Sequence, residues 1–193
     1  MKFYANLIIS FVLLLAISVS AEEKKFNPPV VATNPKKVKG QFIVINKPPL
    51  NIKLVAKYRL SKANDDGSFS GILTYQLSEN SRRKLASFAG VSESDIPLNY
   101  EQKEVISHFG KDTGCPMIQL DIKANNLVLS SGSLQFQKLS LTMFETEHPA
   151  SRTICTHARQ LHSNWGHLSR PLITVINRLL AGEGINDMSP QSK

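Results

Sequence analysis

Every second side chain along residues 52–60 is apolar, and this period of two constrains the fold of the chain more than any other feature. Successive side chains of an extended strand point to opposite faces of a sheet, so the period predicts a strand buried on one face. The apolar positions are Ile52, Leu54, Ala56, Tyr58 and Leu60. The other face carries Lys53, Val55, Lys57 and Arg59. The sequence therefore predicts a half-buried strand over residues 51–60 with a basic outer face.

A second alternating run occupies residues 69–77, after a turn sequence at residues 64–67. That turn consists of Asn, Asp and Gly, the residue types that reverse a chain between strands. Residues 51–77 are therefore predicted to form a β-hairpin. The apolar run at residues 42–45 predicts a further buried strand, and we place the start of the folded domain at residue 41.

A meander is predicted farther along the chain. Alternation over residues 118–122 and the short apolar run at 127–129 predict two strands, with a turn at Asn125-Asn126 between them. A second turn is predicted at residues 131–133. Along residues 134–143 the apolar positions then change parity at Gln137-Lys138, which indicates a β-bulge that bends a long strand.

Residues 99–109 are compatible with two structures. Asn99 and Gln102 resemble a helix capping box. The second half of the segment, residues 105–109, fits a strand that enters the turn at residues 110–114 equally well. We favour the strand.

Three helices are predicted. Ser78 is a typical N-cap for a helix over residues 79–89, which Gly90 would end. Residues 152–162 are amphipathic at the helical period, and a third helix is expected to begin after Ser169. The expected fold class is α+β: an antiparallel β-sheet of about six strands, built from hairpins and a meander, with the C-terminal helices packed on one face.

The first 21 residues have the features of a cleavable secretory signal peptide. Lys2 provides the positive start, residues 7–17 are apolar, and Val19 and Ala21 are suitable residues before a cleavage site. The apolar run is shorter than the ~20 residues that a membrane-spanning helix needs. The protein is therefore expected in the periplasm or outside the cell, with no membrane span after cleavage.

Three regions are predicted after the signal peptide. Residues 22–40 are rich in proline and lysine and indicate an extended basic arm. A single α+β domain is expected over residues 41–184, followed by a polar tail at residues 185–193.

The two cysteines of the chain, Cys115 and Cys155, predict a disulfide bond in an oxidising compartment.

The formal net charge is +8, and loss of Lys2 with the signal peptide lowers it to +7. A positive surface favours an anionic partner, such as lipid headgroups or another anionic component of the cell envelope. The alternative is a basic surface that keeps an exported protein soluble. Nucleic acid is not expected as a partner, because aromatic residues do not interleave with the cations.

Two groups of cations, one on the first strand of the hairpin and one on the helix after it, form the candidate anion-binding site. They are Lys53, Lys57, Arg59, Arg82, Arg83 and Lys84. The alternative interpretation is an ordinary solvent-facing sheet surface, or an edge strand that charge protects from mispairing.

A cup for a hydrophobic ligand is a second candidate site. It would lie between the sheet and the last helix, with Trp165 at its mouth. Its lining would be the apolar face of that helix, namely Leu172, Val175, Ile176 and Leu179. Packing against the core is the alternative role of Trp165.

No catalytic, metal or cofactor site is predicted. His157, His162 and His167 follow one another at steps of five residues, which places their side chains on diverging faces of a helix. No serine has the flanking glycines of a nucleophile elbow. The expected function is therefore that of an exported, non-enzymatic binding or envelope-associated protein. The alternatives are a carrier of a hydrophobic ligand or lipid, and a small secreted hydrolase that uses a C-terminal histidine.

Overall fold

The computed structural model describes five segments of the chain, residues 29–111, 114–115, 117–144, 148–163 and 169–183. The predicted signal peptide, the start of the predicted arm, Trp165 and the polar tail lie outside them. The strands within the described segments are β1 (Lys36–Ile43), β2 (Leu50–Ala63), β3 (Phe69–Leu77), β4 (Asn99–Phe109), β5 (Met117–Ile122), β6 (Asn125–Leu129), β7 (Gly132–Phe136) and β8 (Leu139–Phe144). The helices are α1 (Glu79–Ala89), α2 (Pro149–Ser163) and α3 (Ser169–Leu180), with a short 3-10 helix at Glu93–Asp95.

The expected α+β class is confirmed, with an antiparallel sheet that dominates the fold. β2 and β3 form the predicted hairpin, in which Ala56 faces Tyr75. The segment that was compatible with a helix or a strand is a strand, β4, which pairs with β3. Eight strands are described where about six were expected. Two long strands are each interrupted by a bend, one into β5 and β6 and the other into β7 and β8, and the second of these had been counted as a single strand.

These two bent strands form one long hairpin. β5 pairs with β8 and β6 pairs with β7 in a single continuous register, from Met117 opposite Phe144 to Leu129 opposite Gly132. The bend between β7 and β8 lies at residues 137–138, where the change of parity predicted it. The register continues unchanged across the bend, so the β-bulge predicted there is wrong and both strands bend together. The chain reverses at residues 130–131, between β6 and β7.

The turn predicted at Asn125-Asn126 is wrong. Asn125 begins β6, and β6 does not pair back onto β5. The reason lies in contacts with distant strands. The Asn125 side chain accepts a hydrogen bond from the Tyr75 hydroxyl at 3.0 Å and donates one to Gln102 at 3.1 Å. These hydrogen bonds hold an asparagine in extended backbone despite its preference for turns.

The sheet curls until its two ends meet along β1. Its strand order is β6-β7-β1-β2-β3-β4-β5-β8. β1 pairs with β7 near its end, where Phe42 faces Leu134. Just before β1, Thr33 bridges to Met143 of β8, in the same register as the β1–β7 pairing.

The boundary predicted between arm and domain at residue 40 is too late in the chain. β1 begins at Lys36, and Val31 is already buried in the core. Lys37 and Lys39 concealed this strand in the sequence, because they occupy outward positions while Gly40 faces inward. A Cβ atom on Gly40 would lie 2.8 Å from the Phe136 ring, so the glycine makes room for that ring.

Large side chains fill the interior of the curled sheet. The buried Tyr58 hydroxyl lies 3.0 Å from the carbonyl oxygen of Phe69 and 2.9 Å from that of Val105, so it links β3 to β4 from inside. Tyr75 stacks on Phe136 with ring centroids 4.3 Å apart, across the interior from β3 to β7. The interior therefore has the close packing of a protein core.

Helices lie at both ends of the curled sheet. α1 has the predicted Ser78 N-cap and ends at Gly90 with φ 77°, and it packs where β2 begins. At the other end, the Asn177 side chain of α3 bonds both backbone groups of Ala63, at 2.7 and 3.0 Å. The predicted disulfide is confirmed, since Cys115 in the β4–β5 turn is bonded to Cys155 of α2.

Candidate functional site

The outer surface of β1 and β2 carries a row of exposed cations, which we call the basic face. These side chains share the outward parity of the two strands, opposite to buried Phe42 and Tyr58. The basic face consists of Lys37, Lys39, Lys53, Lys57 and Arg59. Within the described segments none of these five forms a salt bridge.

Two of these cations face each other directly. Lys39 of β1 is paired with Lys53 of β2 in the antiparallel register. Side chains in such a pair have Cβ atoms about 4.5–5.5 Å apart, and like charges in this position destabilise a sheet. Neither strand carries a compensating acid, since residues 29–64, which include both strands, contain no Asp or Glu.

Only part of the predicted cation set belongs to this face. Lys53, Lys57 and Arg59 lie on it, but Arg82 is half-buried on α1 against two carboxylates. Its guanidinium lies 2.8 Å from Glu79 and 3.9 Å from Glu93. Arg82 is therefore held by partners within the fold, and the structure does not bring it to the basic face.

The other two predicted cations, Arg83 and Lys84, line a shallow cleft beside α1. This cleft has a volume of about 470 Å³, and Leu50 and Phe88 form its apolar part. The ammonium group of Lys47 lies 5.4 Å from the centroid of the Phe88 ring and donates a hydrogen bond to the Phe88 carbonyl oxygen at 2.5 Å. Cations and apolar side chains thus meet at the end of the sheet where α1 packs.

Sequence reasoning missed Lys37 and Lys39. Both were assigned to the extended arm because the segment is rich in lysine and proline. The signal that identifies them is parity: Gly40 and Phe42 alternate with lysine and continue the pattern of a half-buried strand.

A second cleft, of about 520 Å³, lies on the outer surface of β2, β3 and β4. Lys62, Lys103 and Glu104 place charges of both signs in it, and Ser61 and Ser70 add hydroxyl groups. Glu104 has φ 56° at the bulge of β4, a left-handed backbone conformation that is uncommon for residues other than glycine. The mixed charge of this cleft gives no preference for an anion.

The residues proposed to line a hydrophobic cup contribute to packing between α3 and the rest of the core. Ile176 and Leu179 are buried, and Leu172 and Val175 are half-buried against the same cluster. Trp165, the proposed mouth of the cup, lies outside the described residues.

The histidines in the described part of the chain do not converge. His157 is hydrogen-bonded through Nδ1 to the Thr153 carbonyl oxygen at 2.8 Å, and His162 stacks on Phe109 with centroids 4.7 Å apart. His167 lies outside the described residues. Where side chains are described, no three His, Cys, Asp or Glu residues are grouped so that they could hold a metal ion.

Burial raises the pKa of Tyr58 to about 12, although a hydrogen bond with Ser107 lowers it in part. The Tyr58 hydroxyl therefore keeps its proton at neutral pH and serves as a hydrogen-bond donor inside the sheet.

None of the described helices has the length and apolar character needed to cross a bilayer.

Comparison of the chain with protein-family models, with curated proteins and with solved structures finds no match. The basic face is therefore assessed on its geometry and charge alone. It is the one described surface on which several predicted site residues come together with the same charge and without partners.

Proposed function

We propose that this chain is an exported, non-enzymatic binding protein that holds an anionic component of the cell envelope on its basic face. The observation that carries the proposal is the Lys39–Lys53 pair, two like charges held directly opposite each other with no acidic residue on either strand. An anionic partner would convert this repulsion into attraction on binding.

The spacing of the cations suits a partner that carries many charges. Residues two apart on a strand are separated by about 6.8 Å, and neighbouring strands by about 4.8 Å. Lys37 and Lys39 on one strand, and Lys57 and Arg59 on the other, therefore present several charges within reach of one extended anionic surface. Such binding weakens as salt screens the charges.

The export part of the proposal is supported by two features. The first 21 residues have the composition of a secretory signal peptide. The disulfide between Cys115 and Cys155 suits an oxidising compartment outside the cytoplasm.

Binding to immobilised polyphosphate at increasing salt tests the basic face. The triple variant Lys39→Gln, Lys53→Gln, Lys57→Gln is expected to lower the affinity about tenfold or more at low salt and to flatten the salt dependence. The matched control removes three exposed lysines from elsewhere on the sheet surface, in the variant Lys62→Gln, Lys103→Gln, Lys123→Gln. Equal losses in the two variants, or binding that ignores salt, would contradict the proposal.

A carrier would give a different result in a separate measurement. Native mass spectrometry of the protein purified from its own host would show co-purifying lipid mass that survives removal of salt-labile ligands. That result, together with unchanged binding in the triple variant, would favour the carrier over the basic face.

A further inference from the structure

Two large apolar side chains are exposed at one end of the curled sheet. Ile45, in the loop after β1, is 86% exposed, and Val128 of β6 is 78% exposed. The strand register brings them to the same region. Ile43 faces Ser133 of β7, and Ser133 in turn faces Val128. Ile43, Ser133 and Val128 therefore form one row across three neighbouring strands, and Ile45 follows two residues beyond Ile43.

This row lies on the same outer surface as the basic face. Directly paired residues of neighbouring strands project to the same side of a sheet. Ile43 shares the outward parity of Lys39 and Lys37 on β1, opposite to buried Phe42. The outer surface of β1 thus changes from apolar at the α1 end to cationic along the rest of the strand, over a distance of about 20 Å.

More cations surround the apolar end. Lys47 follows Ile45 by two residues, and Arg83 and Lys84 line the adjacent cleft beside Leu50. Acidic residues are absent from the strands concerned, since residues 29–64 and 124–144 contain no Asp or Glu. The surface therefore combines exposed apolar side chains with positive charge and no negative charge on the strands that form it.

We infer that the anionic component is the surface of a lipid bilayer, with Ile45 and Val128 inserted at the boundary of headgroups and acyl chains while the basic face contacts anionic headgroups. This inference rests on the proposed function and specifies its partner. Interfacial binding of this kind scales with buried apolar area and with attraction to anionic lipids, and both features are present on this surface.

The apolar side chains are what distinguishes a bilayer from a dissolved polymer. A hydrated anionic polymer offers nothing in which Ile45 and Val128 could be buried, so these residues would be irrelevant to its binding. A bilayer removes them from water and adds the free energy of apolar burial to the electrostatic attraction.

Co-sedimentation of the protein, expressed from its full sequence, with vesicles tests the inference. Vesicles of phosphatidylglycerol mixed with phosphatidylcholine are expected to bind it, and vesicles of phosphatidylcholine alone much less. The double variant Ile45→Ser, Val128→Ser is expected to lower the affinity for the mixed vesicles by about tenfold or more. Its matched control, Val30→Ser with Ile106→Ser, removes two exposed apolar side chains from other parts of the surface and is expected to bind as the unmodified protein does.

The charge variant behaves differently from the apolar variant. Lys39→Gln with Lys53→Gln is expected to lower vesicle affinity by about thirtyfold at low salt, since each lysine near an anionic membrane contributes a factor of about five and the two factors multiply. High salt should abolish that difference, because it screens the lysines in the unmodified protein too. The difference caused by Ile45→Ser, Val128→Ser should persist at high salt in whatever binding remains.

Binding to polyphosphate distinguishes failure of the bilayer inference from failure of the proposed function. If the protein binds polyphosphate but not the mixed vesicles, or if the serine double variant and its control bind vesicles equally, the bilayer inference is wrong and the proposed function stands. If it binds neither polyphosphate nor vesicles, both are wrong. Loss of vesicle binding in the serine double variant, with polyphosphate binding and the unfolding midpoint unchanged, would establish the inference.

Discussion

Two parts of the outer sheet surface differ in whether their charged side chains have partners of opposite charge. On the side of β5 and β8, the carboxylate of Asp121 lies 2.6 Å from the ammonium group of Lys138 and accepts a hydrogen bond from the Ser140 hydroxyl at 2.7 Å. On the basic face, Lys39 lies opposite Lys53 and neither forms a salt bridge in the described part of the molecule. Asp121 is neutralised by a partner within the fold, whereas Lys39 and Lys53 are not.

The difference also appears in the titration of Asp121. Burial by itself raises the pKa of this carboxyl group. Hydrogen bonds from Lys138, Ser140 and Gln119 outweigh that effect and hold the pKa below its usual value. The folded state thus favours the charged form of Asp121, so this charge stabilises the fold, whereas the Lys39–Lys53 pair opposes it. The contrast teaches that the partner of a charge on the sheet surface decides whether that charge stabilises or destabilises the fold.

The largest expected effect comes from the disulfide, which lies away from the basic face and joins the β4–β5 turn to α2. The variant Cys115→Ser, Cys155→Ser opens a loop with a sequence separation of 40 residues. The free energy of unfolding is expected to fall by about 3–4 kcal/mol, mainly because the unfolded chain gains freedom. Urea unfolding followed by circular dichroism measures the change, and reduction of the unmodified protein should reproduce it.

Polyphosphate binding is expected to survive in this variant under conditions where it remains folded. A folded variant that no longer binds would show that the basic face depends on the helices at the far end of the sheet. The separation between a stabilising side and a binding side would then be wrong.

The next effect concerns Asp121 itself. Asp121→Asn is expected to lower the free energy of unfolding by about 1–2 kcal/mol at pH 7, because Lys138 and Ser140 lose a charged acceptor. The pKa of Asp121 is lower in the folded protein than in the unfolded chain. Its contribution is therefore complete above the unfolded pKa and disappears as the pH falls through the folded pKa. Urea midpoints of the variant and the unmodified protein should converge in strong acid.

Asp65→Asn is the control, since it removes an exposed carboxyl group from the β2–β3 turn. It is expected to change stability little at any pH, and neither variant should weaken polyphosphate binding. A gap between Asp121→Asn and the unmodified protein that stays constant from neutral pH to strong acid would contradict the role assigned to this carboxylate.

Local patterns in the sequence predicted much of this architecture. The period of two along β2 and β3 identified their hairpin and its buried face, because a long alternating run can bury its apolar side chains only on one face of an antiparallel sheet. The change of parity at residues 137–138 located a bend. The pairing of Cys115 with Cys155 followed from the presence of two cysteines and an expected oxidising compartment.

What the sequence concealed depends on contacts between distant residues. The closure of the sheet joins Thr33 to Met143, and no local pattern reports such a pairing. Asn125 looked like a turn residue because its bonds to Tyr75 and Gln102 come from other strands. Arg82 was different, since Glu79 three residues earlier is a typical ion-pair partner on a helix and could have removed it from the predicted site.

The smallest expected effect tests the comparison most directly, because the substitution gives Lys53 an oppositely charged partner of the kind that Lys138 has in Asp121. Lys39→Glu would place a carboxylate opposite Lys53, so repulsion becomes attraction and the free energy of unfolding is expected to rise by about 0.5 kcal/mol. Lys37→Glu introduces the same charge opposite Val55, where no lysine is directly paired, and should stabilise less. Both variants are expected to lose polyphosphate affinity to a similar extent. Urea midpoints at low salt measure the difference. If the two variants gain equally, or neither gains, the Lys39–Lys53 pair carries no repulsion, and the reason for assigning this face to an external anion is lost.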